Sequence, residues 1–292
     1  MRIMDREELK TRIYSKIDEL PTLPVVIPRL LRLMESGRSS AADVTEAISH
    51  DPALASKILK VSNSAYYGFS RKIASLERAV ALLGFNMVKS LALSIGVIRG
   101  LPSGKRSSRF SREGLWVHSL AVATAMKELG GRLGTRDADG YLFIIGLLHD
   151  IGKVVLDEFF SELFRRALEE ARDASGVALH VAERRVIGFD HGEVGGMLLA
   201  RWKFPGEIVG PISVHHRDEV PEGTSAVDVA MLRTADVLPL ELGLGERDDV
   251  ALTGVRRGDI ELLELGERDL LEVKEKLRGF EDEIHAFSSA IG

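Results

Sequence analysis

The chain has 292 residues, 45% of them hydrophobic and 28% charged, a composition that gives a folded protein with its own interior and excludes a disordered chain. It has no cysteine, so disulfides, thiolate metal sites and cysteine nucleophiles are excluded, and the cytosol is the expected compartment. Thirty-nine basic residues against 44 acidic ones leave a net charge of −5; no local basic stripe and no direct nucleic acid binding are expected.

Residues 1–20 set Leu9, Ile13 and Ile17 at helical spacing among mixed charges, which predicts an amphipathic helix rather than a signal peptide. No apolar run reaches the roughly 18 to 20 residues of a membrane span, so no membrane association is expected. Asp51 before Pro52 pairs an N-cap with a residue whose missing amide hydrogen costs nothing in the first turn, predicting a helix over 52–62. Ser75 opens a helix that Gly84 closes. Asn86 is expected to cap the next one, whose Val88, Leu91, Ala92 and Ile95 form a broad apolar face. From Gly100 to Ser111 turn formers crowd and apolar periodicity is lost, so a subdomain boundary is placed there. Helices are predicted near 112–130, 139–150, 155–173 and 178–187. Asp190 and Glu193 have capping-box spacing for a helix to about Trp202, Pro205 begins one to His216, and Ser225 with Asp228 begins one carrying Asp236. Gly243 to Gly258 reads as a mobile connection, and the acidic tail from Asp259 as helical. Strand signals are nearly missing, so the fold class is all-α, a multi-helix bundle.

Certain polar residues do not belong in an apolar core. The apolar run Tyr141 to Leu148 ends in His149 and Asp150. A carboxylate in such surroundings is costly unless a cation or several donors compensate it, and a divalent metal is the strongest compensator. Imidazole and carboxylate are both ligands for zinc, iron or manganese; a solvent-touching helix end is the plainer reading of the dipeptide alone. His118 lies among Leu115, Val122 and Ala125, as a ligand or as a hydrogen-bonded core histidine. Asp236 sits on a mostly apolar helix, where a salt bridge to Arg233 is the alternative. His215 and His216 diverge by about 100° on one helix, facing two metal positions or else one inside and one outside. His191 stands beside Gly192, Gly195 and Gly196, which permit close approach of a ligand or another helix; an exposed histidine is the alternative. Five of the eight histidines and two aspartates fall in this set, and together they favour metal.

In this order His118, His149-Asp150 and Asp236 resemble the signature of HD-superfamily metal phosphohydrolases, and His191, His215 and His216 resemble the additional ligands of two-metal members. Longer strings carry a more specific resemblance: Leu-Pro-Thr-Leu-Pro at 20–24, Ile-Ser-His-Asp-Pro-Ala-Leu at 48–54, Lys-Val-Ser-Asn-Ser-Ala-Tyr-Tyr-Gly at 60–68, Leu-Glu-Arg-Ala-Val-Ala-Leu-Leu-Gly at 76–84 and the stretch from Phe189 to Trp202. Over about 20–240 the chain resembles the HDOD family, bacterial signalling proteins related to HD and HD-GYP phosphohydrolases. The resemblance implies an N-terminal helical subdomain over 1–105, an HD-like metal-site helical subdomain over 106–245 and a C-terminal helical tail over 246–292. It implies one or two divalent transition-metal ions, iron, manganese or zinc, on His118, His149, Asp150, His191, His215, His216 and Asp236, with Asp150 bridging. Asp150 and Lys153 would be the catalytic residues, the lysine neutralising charge on a phosphate.

The function implied is that of a signal-transduction or regulatory protein whose partner is a signalling protein or a nucleotide or phosphoester ligand. An active metal-dependent phosphohydrolase or phosphodiesterase is the alternative. With no receiver, kinase or cyclase segment attached, input is expected from another chain or a small molecule. The Gly-Tyr-Pro triplet of HD-GYP members is missing: after His216 the chain reads Arg-Asp-Glu-Val-Pro-Glu-Gly, which departs from cyclic-dinucleotide specificity. Gly114 stands where some relatives place a carboxylate for a third metal, with Glu113 one step away. His50, His180 and His285 fall outside the pattern and are expected to be structural or exposed; Arg184, Arg185 and Arg201 are expected to be solvated charges.

Overall fold

A computed structural model of the chain describes residues 6–20, 23–35, 40–101, 110–135, 140–172, 177–245 and 254–291, and among them every regular element is a helix. The first helices are α1 (Arg6–Asp18), α2 (Val26–Glu35), α3 (Ala41–Ser49) and α4 (Pro52–Ser62), followed by a 3-10 turn over Ala65–Tyr67. Leu9, Ile13 and Ile17 are buried, as the spacing predicts. Asp51 caps α4 by accepting from the Leu54 amide, with Pro52 in the first turn.

Next come α5 (Leu76–Leu83) and α6 (Phe85–Gly100). Asn86 is not the cap of α6. Gly84 alone ends one helix and begins the next, at φ 84° and ψ 150°, a conformation that suits a residue without a Cβ. The axes turn by 118° at this residue, which leaves no loop for a separate capping side chain.

The central helix α7 (Arg112–Arg132) packs against α8 (Tyr141–Leu148), and α9 (Ile151–Phe159), α10 (Ser161–Arg172), α11 (Leu179–Val186), α12 (His191–Arg201), α13 (Gly206–Val214) and α14 (Ala226–Leu242) follow. The C-terminal helices are α15 (Arg257–Leu262), α16 (Glu267–Gly279) and α17 (Glu281–Ile291). Two boundaries differ from expectation. Helix α8 stops before His149 and α9 starts after Asp150, and the helix expected over 155–173 divides at Phe160, which leaves helical geometry (φ −130°, ψ 31°) and buries its ring. The expected linker and the Gly243–Gly258 connection fall mainly at 102–109 and 246–253, outside the described residues.

One continuous apolar core extends from Leu9 of α1 to Phe287 of α17. No single described helix is long and apolar enough to cross a membrane; only α5 and α6 taken together pass, and they are sharply bent. Charge is unevenly distributed along the chain. Residues 52–112 hold eleven Lys and Arg and one acid, Glu77, which the nearly balanced total conceals. Lys60, Arg71, Lys72, Arg78 and Arg99 of this stretch are exposed.

Candidate metal centre

Two helix ends deliver histidines in the same way. At the end of α8 the His149 Nδ1–H donates to the Gly146 carbonyl at 2.8 Å, and at the end of α13 the His215 Nδ1–H donates to the Ile212 carbonyl at 2.7 Å. Each imidazole thereby satisfies an orphan carbonyl of the last turn and leaves its Nε2 lone pair facing the interior. Both Nε2 atoms are buried without a hydrogen-bond partner. Helix α12 supplies its histidine at the start. Asp190 and Glu193 form the predicted capping box, and the His191 amide and Nδ1–H both donate to Glu183 Oε2 of α11, at 2.9 and 2.7 Å. His118 projects from α7 and Asp236 from α14.

These groups meet around Asp150. Its Oδ1 lies 3.0 Å from His191 Nε2; its Oδ2 lies 2.7 Å from Lys153 Nζ, 3.4 Å from His149 Nε2 and 3.9 Å from His118 Nε2. Asp236 Oδ1 sits 2.9 Å from His118 Nε2 and 3.3 Å from His149 Nε2, and His216 Nε2 is 2.8 Å from His191 Nε2. All seven expected ligands and Lys153 are brought together, and each is buried. Two groups emerge, His118–His149–Asp150 and His191–His215–His216, each offering ligand atoms within 4.8 Å of one another.

His118 is buried and hydrogen-bonded to Asp236, which its plainer reading also allows, whereas the plainer readings of His191, of the His215-His216 pair and of Asp236 do not hold. His215 and His216 both face inward, and His191 is 1% exposed. Asp236 is hydrogen-bonded to His118 and faces His149 Nε2 at 3.3 Å, while Arg233 turns to the His215 carbonyl and Asp259.

Burial opposes charge throughout, so the charges that persist are those their partners hold. Asp150 stays well below the usual carboxylate range because His149, Lys153 and His191 outweigh its burial, and Asp236 does so through His118 and His149. Against the same burial, Glu183 and Asp150 hold His191 up to about 10, and Asp150 with Asp236 raises His149. Burial, then the neighbouring imidazoles, pushes His215 down to about 3 and His216 well below its ordinary value. His215 and His216 are thus held neutral and Asp150 and Asp236 ionised, the forms that bind a cation, whereas a cation would have to displace the protons that the carboxylates favour on His149 and His191. With orphaned Nε2 atoms aimed among them, the donor set fits a divalent transition metal.

Three contributors escape the sequence reading. Glu183, fully buried, orients His191. Burial raises its carboxyl above the ordinary value despite His191. Its signal was available: it lies four residues after Leu179 and next to Ala182, an acid at a core position like Asp236. His180 does not stand apart from the site; its ring stacks on His216 with centroids 4.2 Å apart. Arg184 is not merely solvated, since it reaches the His216 carbonyl at 3.3 Å and Asp190 at 2.5 Å. Arg185 and Arg201 do form surface ion pairs, with Glu170 and Asp18.

The sequence profile of the HDOD domain matches residues 20–218. A protein of Treponema pallidum (strain Nichols), described only as uncharacterized, is 30% identical over 213 residues, 72% of this chain and 40% of that protein. The chain thus spans two fifths of that relative's length. Among solved structures, an HDOD domain protein of unknown function from Geobacter sulfurreducens superposes with a TM-score of 0.79 at 26% identity, covering 98% of both chains. A candidate phosphohydrolase from Shewanella amazonensis SB2B gives 0.75 at 25% identity, covering 96% of this chain and 98% of that one.

Proposed function

Since the chain belongs to the HDOD domain family, we propose that it is a signalling or regulatory protein built around a retained divalent-metal centre. The observation that carries this reading is the pair of buried Nε2 atoms of His149 and His215 that lack a hydrogen bond, each oriented by an Nδ1–carbonyl bond: the first faces Asp150 and Asp236 at 3.4 and 3.3 Å, the second groups with His191 and His216. In this reading His118, His149, Asp150 and Asp236 hold one ion. His191, His215 and His216 hold a second, and Asp150, within reach of both groups, is shared.

A divalent ion bound here supplies Lewis acidity toward a phosphoryl oxygen and lowers the pKa of water. The chain's own residues do the rest. Glu183 keeps the His191 proton on Nδ1. Lys153 holds Asp150 Oδ2 at 2.7 Å and places a cation where negative charge on a phosphoester would gather. That lysine favours the second reading, a metal-dependent phosphohydrolase or phosphodiesterase. The sequence after His216 gives no support to cyclic dinucleotides in particular.

Elemental analysis of the purified full chain tests the metal centre. One to two divalent ions per chain are expected, with at least one lost in Asp150→Asn; less than about 0.2 ion per chain after incubation with manganese, iron or zinc overturns the reading. A phosphodiester and nucleotide panel in excess metal then separates the two functions. Turnover that vanishes in Asp150→Asn establishes the enzyme, whereas no turnover, or turnover unchanged in that variant, removes it.

A further inference from the structure

His215 and His216 lie just past the end of α13, where helix carbonyls lose their own amide partners. Two arginines from different helices meet these carbonyls. Arg233 of α14 donates from Nε to the His215 carbonyl at 2.9 Å and from Nη2 to the Arg217 carbonyl. Arg184 of α11 donates from Nη2 to the His216 carbonyl at 3.3 Å. Three successive carbonyls at a negative helix end are thus held by cationic donors.

Each arginine is tied to something further. Arg184 lies 2.5 Å from Asp190, the cap of the helix that begins with His191, so one guanidinium joins the two turns carrying the second ligand group. The third arm of Arg233 donates to Asp259 Oδ1 of α15 at 3.3 Å, and both side chains are nearly buried. Asp259 lies beyond the 20–218 HDOD match, in the C-terminal helices.

We propose that Arg233 and Arg184 are positioning residues that clamp the His215–Arg217 turn, and that Asp259 couples docking of α15 to formation of the His191–His215–His216 site. The inference rests on the metal-centre reading. The planar fork of Arg233 spans two carbonyls two residues apart, a geometry that a lysine ammonium cannot reproduce. The other ligand group comes from α7, the α8–α9 junction and α14, and neither arginine bonds to its side chains. Arg233 shares α14 with Asp236 but directs its donors to the His215–Arg217 turn, so the clamp is expected to act mainly on the ion held by His191, His215 and His216. Coupling of this kind is reciprocal: an ion bound by the histidines favours docked α15 to the same degree that docked α15 favours the ion.

The test uses the full chain as wild type, Arg233→Lys, Arg233→Met and Asp259→Asn, each with helicity checked by circular dichroism and titrated with cobalt(II), read by d–d absorption and bound stoichiometry. Wild type is expected to take two ions, the upper end of the one to two expected for the metal centre, and uptake of a single ion overturns the coupling. Both Arg233 variants are expected to keep one ion at near wild-type affinity and to bind the other about 10- to 100-fold more weakly, with Asp259→Asn losing about tenfold at the same ion. Hydrogen exchange in 257–265 is expected to slow on cobalt loading in wild type and to respond much less in Asp259→Asn. Unchanged binding in Arg233→Met and Asp259→Asn, or equal weakening of both ions, overturns the proposal. Should wild type take up no metal, the metal-centre reading fails and the coupling with it. Exchange in 208–217 without metal still judges the clamp: faster exchange in Arg233→Met sustains it, and equal exchange overturns it.

Discussion

At the scale of single residues, what made this site legible was misplacement. His149 and Asp150 follow seven apolar residues of α8, and Asp236 interrupts an apolar helix, so the sequence alone demands a compensating charge. Glu183 obeys the same logic as an acid at a core position, although the sequence does not show that its partner is a histidine eight positions away. Its contribution is now specific. Oε2 accepts two N–H groups of His191, which fixes the ring orientation and the tautomer. Glu183→Gln retains a carbonyl acceptor but loses the charge. The variant is expected to fold and to bind metal at the His191 group about 10- to 100-fold more weakly, measured by competition with a chromophoric chelator. Equal affinity would show that the carboxylate serves packing alone.

At the scale of elements, the capping residues of α4, α5, α12 and α14 are legible because each cap is a bond between near neighbours in sequence. The end of α8 near His149-Asp150 is legible because the apolar run stops there; the start of α9 at Ile151, four residues before the expected 155, is not. The glycines of α12 resolve an ambiguity the sequence left open: they admit another helix. A Cβ on Gly195 would lie 3.2 Å from the Gly152 amide of α9, one on Gly192 2.8 Å from the His215 ring, and one on Gly196 1.8 Å from Ser213 Oγ. Helix α12 is therefore held between α9 and α13, which brings His191 within reach of Asp150 and His216. Gly152→Ala places a methyl 1.9 Å from the His191 carbonyl oxygen, a backbone atom that cannot rotate away. A loss at or above the upper end of about 1–3 kcal/mol is expected from urea unfolding. Gly131→Ala in α7 meets nothing within 4 Å and is expected to stabilise by about 0.5–1 kcal/mol through backbone entropy. Equal effects at the two positions would refute the close-approach argument.

At the scale of the whole molecule, periodicity reveals that helices form but carries little about which of them meet. The all-α class follows from missing strand signals; the covering of the 3-10 turn by α17 does not, because its partners are more than 200 residues apart in sequence. There Phe287 is fully buried, its ring 5.4 Å from Tyr66, and Tyr66 shares a hydrogen bond of 3.0 Å with Thr124 of α7, the helix that bears His118. The C-terminal tail thereby belongs to the same core as the candidate metal centre. Phe287→Ala removes a buried ring and is expected to cost about 3–5 kcal/mol. Tyr66→Phe removes only a hydroxyl whose partner Thr124 still donates to the Leu120 carbonyl, so about 0.5–1.5 kcal/mol is expected. Because α17 and α7 share one core, both losses should displace a single cooperative transition, seen alike by circular dichroism and by tryptophan fluorescence of Trp116 and Trp202. If Phe287→Ala instead releases a small early step and leaves the main transition in place, the tail folds as a separate unit, and α17 does not support the helix that carries His118.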